Sequence, residues 1–265
     1  MIRISTTLIK LFVACGIFCY SLTGCQQEID EANYGQGKFM LDLRTDVTFK
    51  ETTKSIDQSL YQNINNYTVQ LLKGVNVVKT FVYGDMPLLN DLDAGSYTIK
   101  AYYGDNVGAG YDKLYVEGSQ DFTLANAETK QIGFTCVPAN VKVNVMYTDD
   151  FSTYFNDCAV DFKTSSLTTA FRMNMSDFSK DLYLKAGKTS ENLNLSIILT
   201  DKLGNLLTPV TAQLSIKARD FLTITLKPNV TDVVGGAISG ITITVNSNTV
   251  DEDINITIPD EYLPE

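Results

Sequence analysis

Apolar and polar side chains alternate along several short stretches of the chain, and the clearest stretch lies in its first quarter. Every second position there carries an apolar or β-branched side chain, namely Phe39, Leu41, Leu43, Thr45, Val47 and Phe49. A strand with one buried face repeats every two residues, because successive side chains point to opposite sides. The pattern therefore predicts a half-buried β-strand over 39–49.

Shorter stretches of the same kind follow, and turn-forming residues separate them. They predict strands over 67–71, 77–83, 97–102, 122–124, 132–134, 141–147, 158–162, 171–175, 182–185, 193–199, 213–217, 222–226, 241–245 and 254–258. A turn at 148–150 is expected to join 141–147 and 158–162 as a hairpin. No stretch shows the 3.6-residue period of a long helix. We therefore expect an all-β chain of two tandem β-sandwich domains, Greek-key and transthyretin- or Ig-like, over 38–137 and 138–265.

A glycine and a tyrosine mark the start of one of these strands. Gly95 provides the backbone freedom that the preceding turn needs. Tyr97 is then placed to pack its ring inward while its hydroxyl group fixes the loop before it, as in the tyrosine corners of Greek-key sandwiches. This motif indicates a fold and not a chemistry.

The N-terminal residues have the features of a bacterial secretory signal. Arg3 and Lys10 precede an apolar segment over 11–20. That segment has the length of a signal h-region and is too short to span a bilayer. The sequence therefore predicts a cleaved signal peptide.

The apolar segment ends in a lipobox, the site at which a lipoprotein signal is cut. Small or apolar residues form the cleavage site before the cysteine: Leu22, Thr23 and Gly24. The thiolate of Cys25 is the nucleophile that accepts the lipid. We expect a signal peptide over 1–24, a lipidated flexible tether over 25–37, and attachment to the membrane through the lipid on Cys25. The acidic run over 26–31 resembles the export signal that sends Bacteroidota lipoproteins to the outer face of the outer membrane.

Composition excludes several classes of function. The sequence has 21 basic residues, 31 acidic residues and no histidine. Removal of the signal takes Arg3 and Lys10 but no acidic residue, which leaves 19 basic residues and a net charge of −12. Phosphate groups repel such a chain, so we expect no nucleic acid partner. Without histidine there is no Ser/His/Asp triad and no imidazole–zinc site, and we expect no enzymatic activity and no cofactor.

Two cysteines remain outside the signal and the lipobox, Cys136 and Cys158. An oxidising compartment would permit a disulfide between them. Cys136 lies near the start of one predicted strand and Cys158 within the next, however, at positions that a simple hairpin does not place opposite each other. We favour two buried free thiols.

One tyrosine-rich segment is a candidate for glycan contact, because sugars need aromatic platforms beside hydrogen-bonding groups. Its residues surround a glycine-rich loop: Tyr102, Tyr103, Asp105, Asn106, Tyr111 and Tyr115. Alternating tyrosines in a sandwich also occur as half-buried core, and both interpretations stay open.

Three oxygen-bearing side chains near the C-terminal end suggest a calcium site, Asp251, Asp253 and Asn255. Apolar residues continue the alternation over 254–258, so we favour the polar face of a strand. We expect no bound metal.

Two segments carry a resemblance to a known family. They are 97–103 and 140–151, with Tyr154, Phe155 and Asp157 beyond the second. The chain resembles the Bacteroidota lipoproteins grouped as domain of unknown function 4493, and more distantly the fimbrillin-like surface proteins. The resemblance implies a cell-surface lipoprotein with fimbrillin-like or glycan-related associations. It transfers no functional residue, and Cys158 stands where a tyrosine or a similar residue is expected in the family.

Two functional hypotheses follow. The first is a surface-exposed outer-membrane lipoprotein in adhesion or fimbria-like assembly, which contacts other subunits by β-strand addition through the strands around 41–44 or over 254–258. Fimbrillin-like pilins lose an N-terminal strand after a basic residue, and Arg44 lies at a comparable place. The alternative is a glycan-binding accessory lipoprotein of a polysaccharide-utilisation system.

Overall fold

The computed structural model describes residues 35–49, 59–230, 238–247 and 250–257, and their regular secondary structure is almost entirely β-strand. The lipobox, Cys25 and the tether up to residue 34 lie outside the described residues. The strands are β1 Gln36–Thr45, β2 Thr68–Lys73, β3 Asn76–Val82, β4 Asn90–Asp93, β5 Gly95–Gly104, β6 Ala109–Tyr111, β7 Tyr115–Leu124, β8 Thr129–Pro138, β9 Asn140–Tyr147, β10 Phe155–Lys163, β11 Phe171–Asn174, β12 Leu182–Lys185, β13 Glu191–Asp201, β14 Val210–Ile216, β15 Phe221–Val230, β16 Ile238–Ser247 and β17 Val250–Thr257. Two single-turn helices, α1 Ser59–Gln62 and α2 Phe151–Tyr154, and 3₁₀ turns at Ile64–Asn66, Tyr83–Asp85 and Met175–Asp177 complete them. The expected all-β class is confirmed. No helix in these ranges is both long and apolar enough to cross a bilayer.

The first sheet has seven strands in the order β3-β2-β5-β7-β8-β1-β4. The predicted strand over 39–49 is confirmed as β1, although the strand itself ends at Thr45. Burial still alternates beyond that point, since Val47 and Phe49 are buried and Thr48 is exposed. β1 runs parallel to β8 from Lys38 to Thr45 and antiparallel to β4 near its start.

Two of the predicted strands are much longer in the structure. The expected strands over 122–124 and 132–134 are parts of β7 and β8, which have ten residues each. The sequence pattern missed most of both strands because they contain polar stretches. In β7, for example, the exposed side chains over 119–121 follow one another without alternation. Gly118 lies where a Cβ atom would come within 2.9 Å of the Thr135 carbonyl oxygen, so a side chain there would clash.

The remaining strands form a four-stranded sheet, β11-β10-β13-β14, and a six-stranded sheet, β17-β16-β15-β9-β12-β6. The hairpin expected between β9 and β10 is wrong, because these strands belong to different sheets. Alternate residues of both strands are fully buried in one shared apolar cluster. The α2 turn makes the crossing between the sheets, and the Phe151 and Phe155 rings fill this corner with their centroids 4.9 Å apart.

The described residues pack around two apolar clusters, one mainly from 39–136 and one mainly from 141–243. Strand pairing and side-chain packing connect the two clusters. β6 pairs with β12 of the six-stranded sheet, and the Tyr183 and Phe221 side chains are buried in the first cluster. The Tyr183 ring lies 5.9 Å from the Phe49 ring. The domain boundary at 137/138 stays a prediction.

Cys136 and Cys158 are free and buried, and they lie in different clusters. Burial raises the pKa of each thiol to about 12, with a smaller contribution from the charge of Glu117 or Asp157 respectively.

Candidate functional site

The tyrosine corner is present as the sequence predicts. The Tyr97 ring is buried in the first cluster and stacks on Phe122 at a centroid distance of 5.7 Å. Its hydroxyl group donates a hydrogen bond of 3.0 Å to the carbonyl oxygen of Asp93. The hydrogen bond fixes the turn before β5. The Tyr97 side chain therefore serves the fold and is not a candidate for a reactive or binding group.

The tyrosines of the candidate glycan segment do not share one surface. Tyr102 and Tyr103 are neighbours in β5 and point to opposite faces of the sheet. Tyr103 packs against Tyr61 and Tyr67, with centroids 5.3 and 5.6 Å away. Tyr102 lies on the other face, 6.0 Å from the Tyr115 ring.

The other two tyrosines of the segment are largely enclosed. Tyr115 is 5% exposed. The Tyr111 ring packs edge-on against Phe171, with the Lys180 ammonium group 5.2 Å above it. Its hydroxyl oxygen is buried without a hydrogen bond of good geometry, although the Asp177 carboxylate is near. Burial and, second, the charge of Asp177 raise the pKa of Tyr111 to about 12.

The two polar residues of the loop are bonded to lysines. Asp105 accepts from Lys113 Nζ at 2.6 Å, and Asn106 Oδ1 accepts from Lys185 Nζ at 3.1 Å. The second contact matters, because Lys185 belongs to a pocket that the sequence alone did not indicate.

This pocket, here the junction pocket, lies where the two apolar clusters meet. It has a volume of about 410 Å³, within the range of small-ligand sites, and it is more enclosed than the depressions on the outer sheet faces. It is lined by Glu117, 137–139, Ser166, 185–188 and 218–219. The end of β8, the end of β12 and the turn before β15 are far apart in sequence, so only the fold brings this pocket together.

Arg219 forms one wall of the junction pocket and ties the two halves of the chain together. Its guanidinium group donates to Asp46 Oδ2 at 2.6 Å and to the Thr48 carbonyl oxygen. Its backbone is left-handed, with φ of 74°, which costs a non-glycine residue roughly 1–2 kcal/mol. The ion pair and the hydrogen bond from Arg219 N to the Asn140 carbonyl oxygen hold this conformation.

A buried lysine stabilises the same junction. Lys142 is 3% exposed, and its ammonium group lies 3.2 Å from Asp181 Oδ1 and 5.1 Å from the centre of the Phe221 ring. Burial raises the pKa of Asp181, and the Lys142 charge opposes this shift. Because one partner neutralises the other, this pair is structural.

Exposed apolar side chains also occur on the β3 edge, defined as the outer edge of β3 with the following loop at 88–89. β3 is the last strand of its sheet and pairs only with β2 among the described strands. Val77 and Val78 are 50% and 44% exposed, and both leucines of the loop are exposed as well. An open strand edge with apolar side chains is a site at which another strand can pair.

Arg44 lies near the end of β1, and its side chain is 71% exposed and paired with Asp42 at 2.7 Å. Its backbone position is opposite Thr135 of β8, so it lies inside a paired strand. β1 also carries Phe39 and Leu43, which are buried in the first cluster. The strand around 41–44 is therefore part of the sheet and not a free segment.

No group of three or more cysteine or acidic residues that could hold a metal ion occurs among the described residues. Of Asp251, Asp253 and Asn255 the structure describes only the backbone, which forms part of β17, so this result does not cover their side chains.

Comparison with known proteins identifies the family. The family model of the domain of unknown function DUF4493 matches residues 35–260. The chain belongs to this family. The DUF4493 match covers all seventeen strands, in agreement with the resemblance that the sequence segments carry. No curated protein matches the chain significantly.

Among the solved structures to which the chain is similar, three are from Bacteroides species. A candidate cell adhesion protein of Bacteroides eggerthii has 12% identity over 81% of this DUF4493 chain and 95% of its own, with a TM-score of 0.41. A candidate adhesin of Bacteroides ovatus has 9% identity over 83% and 95%, with a TM-score of 0.45. A candidate polysaccharide binding protein (DUF1812) of Bacteroides thetaiotaomicron has 9% identity over 84% and 99%, with a TM-score of 0.42. Similarity at this level carries no argument about ligands or activity.

Proposed function

We propose that the protein is a lipid-anchored lipoprotein on the outer face of the outer membrane, without catalytic activity, that acts in adhesion or fimbria-like assembly. The lipobox at Cys25 and the acidic run after it support the anchor and the location. The β3 edge is the observation that supports the adhesive role. It offers unpaired backbone groups and apolar side chains to a strand from another subunit.

The test places charges on the β3 edge of the anchored protein. The double variant Val77→Lys, Val78→Lys adds two cations to exposed positions, and it should leave the fold intact because neither side chain is buried. Charged side chains on an edge strand oppose pairing with another strand. The matched control is Leu203→Lys, which changes another exposed apolar residue in the turn after β13.

Cells that carry the wild-type protein should show cross-linked oligomers and cell–cell adherence. The double variant should lose both at an equal surface amount and equal melting temperature, while the Leu203→Lys control keeps them. Wild-type behaviour in the double variant, or neither property in the wild type, would show that the β3 edge has no adhesive role.

A second function, a glycan-binding accessory role in a polysaccharide-utilisation system, is favoured by the junction pocket. The pocket is more enclosed than the depressions on the outer sheet faces, has the size of a small-ligand site, and is adjacent to Asn106 of the tyrosine-rich segment. Binding of any soluble glycan to the anchored protein would support this role, and the two functions are compatible on one molecule.

A further inference from the structure

Two lysines of the junction pocket have no acidic partner among the residues that the structure describes. The ammonium group of Lys185 donates a hydrogen bond to Asn106 Oδ1. Within the described part of the chain, Lys188 has neither an ion-pair nor a hydrogen-bond partner. Both side chains are exposed at the pocket. Their positive charges are therefore free to meet an anion, in a chain whose overall charge is strongly negative.

The acidic side chains around the pocket are already engaged. Glu117 pairs with Lys100 at 2.8 Å, and Asp46 pairs with Arg219. Glu191 accepts hydrogen bonds from Gly187 N at 2.7 Å and from Ser166 Oγ at 3.1 Å. An incoming anion would therefore meet the ammonium groups of Lys185 and Lys188, neither of which is paired with a carboxylate in the described part of the chain, while each of these carboxylates keeps its own partner.

The rest of the lining suits a sugar ring better than a small inorganic ion. The floor is apolar over 137–139 and at Ala186 and Ala218, and Ser166 provides a hydroxyl group at the rim. A sugar presents C–H groups on its faces and hydroxyl groups around its edge. Its faces can therefore pack on the apolar residues of the pocket while its edge bonds to the hydroxyl group. A volume of about 410 Å³ admits one or two sugar units and leaves far more space than a bare anion needs.

We propose that the junction pocket binds an anionic saccharide, a sugar unit that carries a carboxylate or sulfate group. The anion lies against Lys185 and Lys188, and the ring lies on the apolar floor. This inference rests on the second of the two proposed functions, and it adds the ligand class and the residues that recognise it. It does not involve the β3 edge.

The test is isothermal titration calorimetry on the full anchored protein in detergent. The probes are digalacturonic acid, galactose 6-sulfate, neutral galactobiose and inorganic sulfate. The variant is Lys185→Gln, Lys188→Gln. The matched control is Lys202→Gln, Lys227→Gln, which removes the same charge from two exposed lysines outside the pocket.

At least one of the two acidic sugars should bind about tenfold more tightly than galactobiose, and the stronger of them identifies the anionic group. The pocket variant should lose about tenfold in affinity for it, and the control should lose nothing. Unchanged affinity in the pocket variant, or equal affinity for inorganic sulfate, would contradict the proposal. Equal affinity for galactobiose would leave glycan binding intact and refute the anionic ligand, whereas binding of no saccharide would refute both.

Discussion

At the scale of single residues, Tyr97 shows how one side chain serves packing and turn geometry together. Its ring is buried beside Phe122, and its hydroxyl group bonds to the Asp93 carbonyl oxygen at 3.0 Å. Tyr97→Phe removes this hydrogen bond and keeps the ring. We expect a loss of about 1 kcal/mol in the free energy of unfolding, measured by urea denaturation.

Tyr102→Phe is the control for this prediction, because the Tyr102 ring lies on the outer face of the same strand. It should change the stability by less than about 0.5 kcal/mol. If both variants lose the same amount, the hydrogen bond to Asp93 is not the cause.

Asp46 gives the junction a dependence on pH. Burial is the largest single effect and raises its pKa, but the hydrogen bonds from Thr48 and Arg219 and the charge of Arg219 together outweigh it and hold the pKa below its usual value. The ionised form therefore stabilises the fold above the unfolded-state pKa of about 4, and this stabilisation is lost as the pH falls through the lower folded-state pKa. The side chain is 42% exposed, so the contribution is at most about 1 kcal/mol.

Asp46→Asn should thus be less stable than the wild type at pH 7, and the difference should shrink below pH 4. Urea denaturation at pH 7 and pH 3 measures it, with the exposed turn residue Asp149→Asn as the control. A constant difference at both values would show that charge on Asp46 plays no part.

At the scale of elements, the alternation of residues predicts where strands occur but not which strands pair. β1 and β13 follow directly from their alternating patterns. β6 does not, because its three residues lie in a glycine-rich loop and become a strand only by pairing with β12, about seventy residues later. The same limit explains the wrong hairpin, since β9 and β10 face each other across a core and share no hydrogen-bonded edge.

The candidate sites show this limit too. The sequence identifies the tyrosine-rich segment, but only the fold shows that its rings point to different places. Lys188 and Arg219 have no sequence signal, because the pocket that they line is assembled from distant turns.

The position of Arg44 inside a paired strand leads to a prediction about proteolysis. Proteases bind their substrates as extended, unpaired chains, so cleavage after Arg44 requires β1 to separate from β8 first. Brief trypsin treatment of the folded protein should leave the bond after Arg44 intact and cut after Lys202, which lies in an exposed turn. Peptide mass spectrometry identifies the cuts. Early cleavage after Arg44 would instead favour a processing site there.

At the scale of the whole molecule, the two apolar clusters should unfold together. The β6–β12 pairing, the Tyr183 and Phe221 side chains and the Arg219–Asp46 ion pair all join them. Cys136 reports on the first cluster and Cys158 on the second. Labelling of the two thiols against urea concentration should therefore give the same midpoint for both.

Each thiol should react in the unfolded protein and resist labelling in the folded one, because burial protects it and raises its pKa to about 12. Peptide mass spectrometry distinguishes the two sites. Separate midpoints would indicate two independently folding domains, each with its own stability.

The proposed adhesive role depends on the proposed anchor, because the β3 edge can meet a neighbouring surface only if the chain is held at the cell exterior. The most direct measurement is the intact mass of the protein extracted from the envelope. We expect a chain that begins at Cys25 and carries two or three acyl groups, which are enough for firm attachment. A mature chain that begins at another residue, or one without acyl groups, would contradict it.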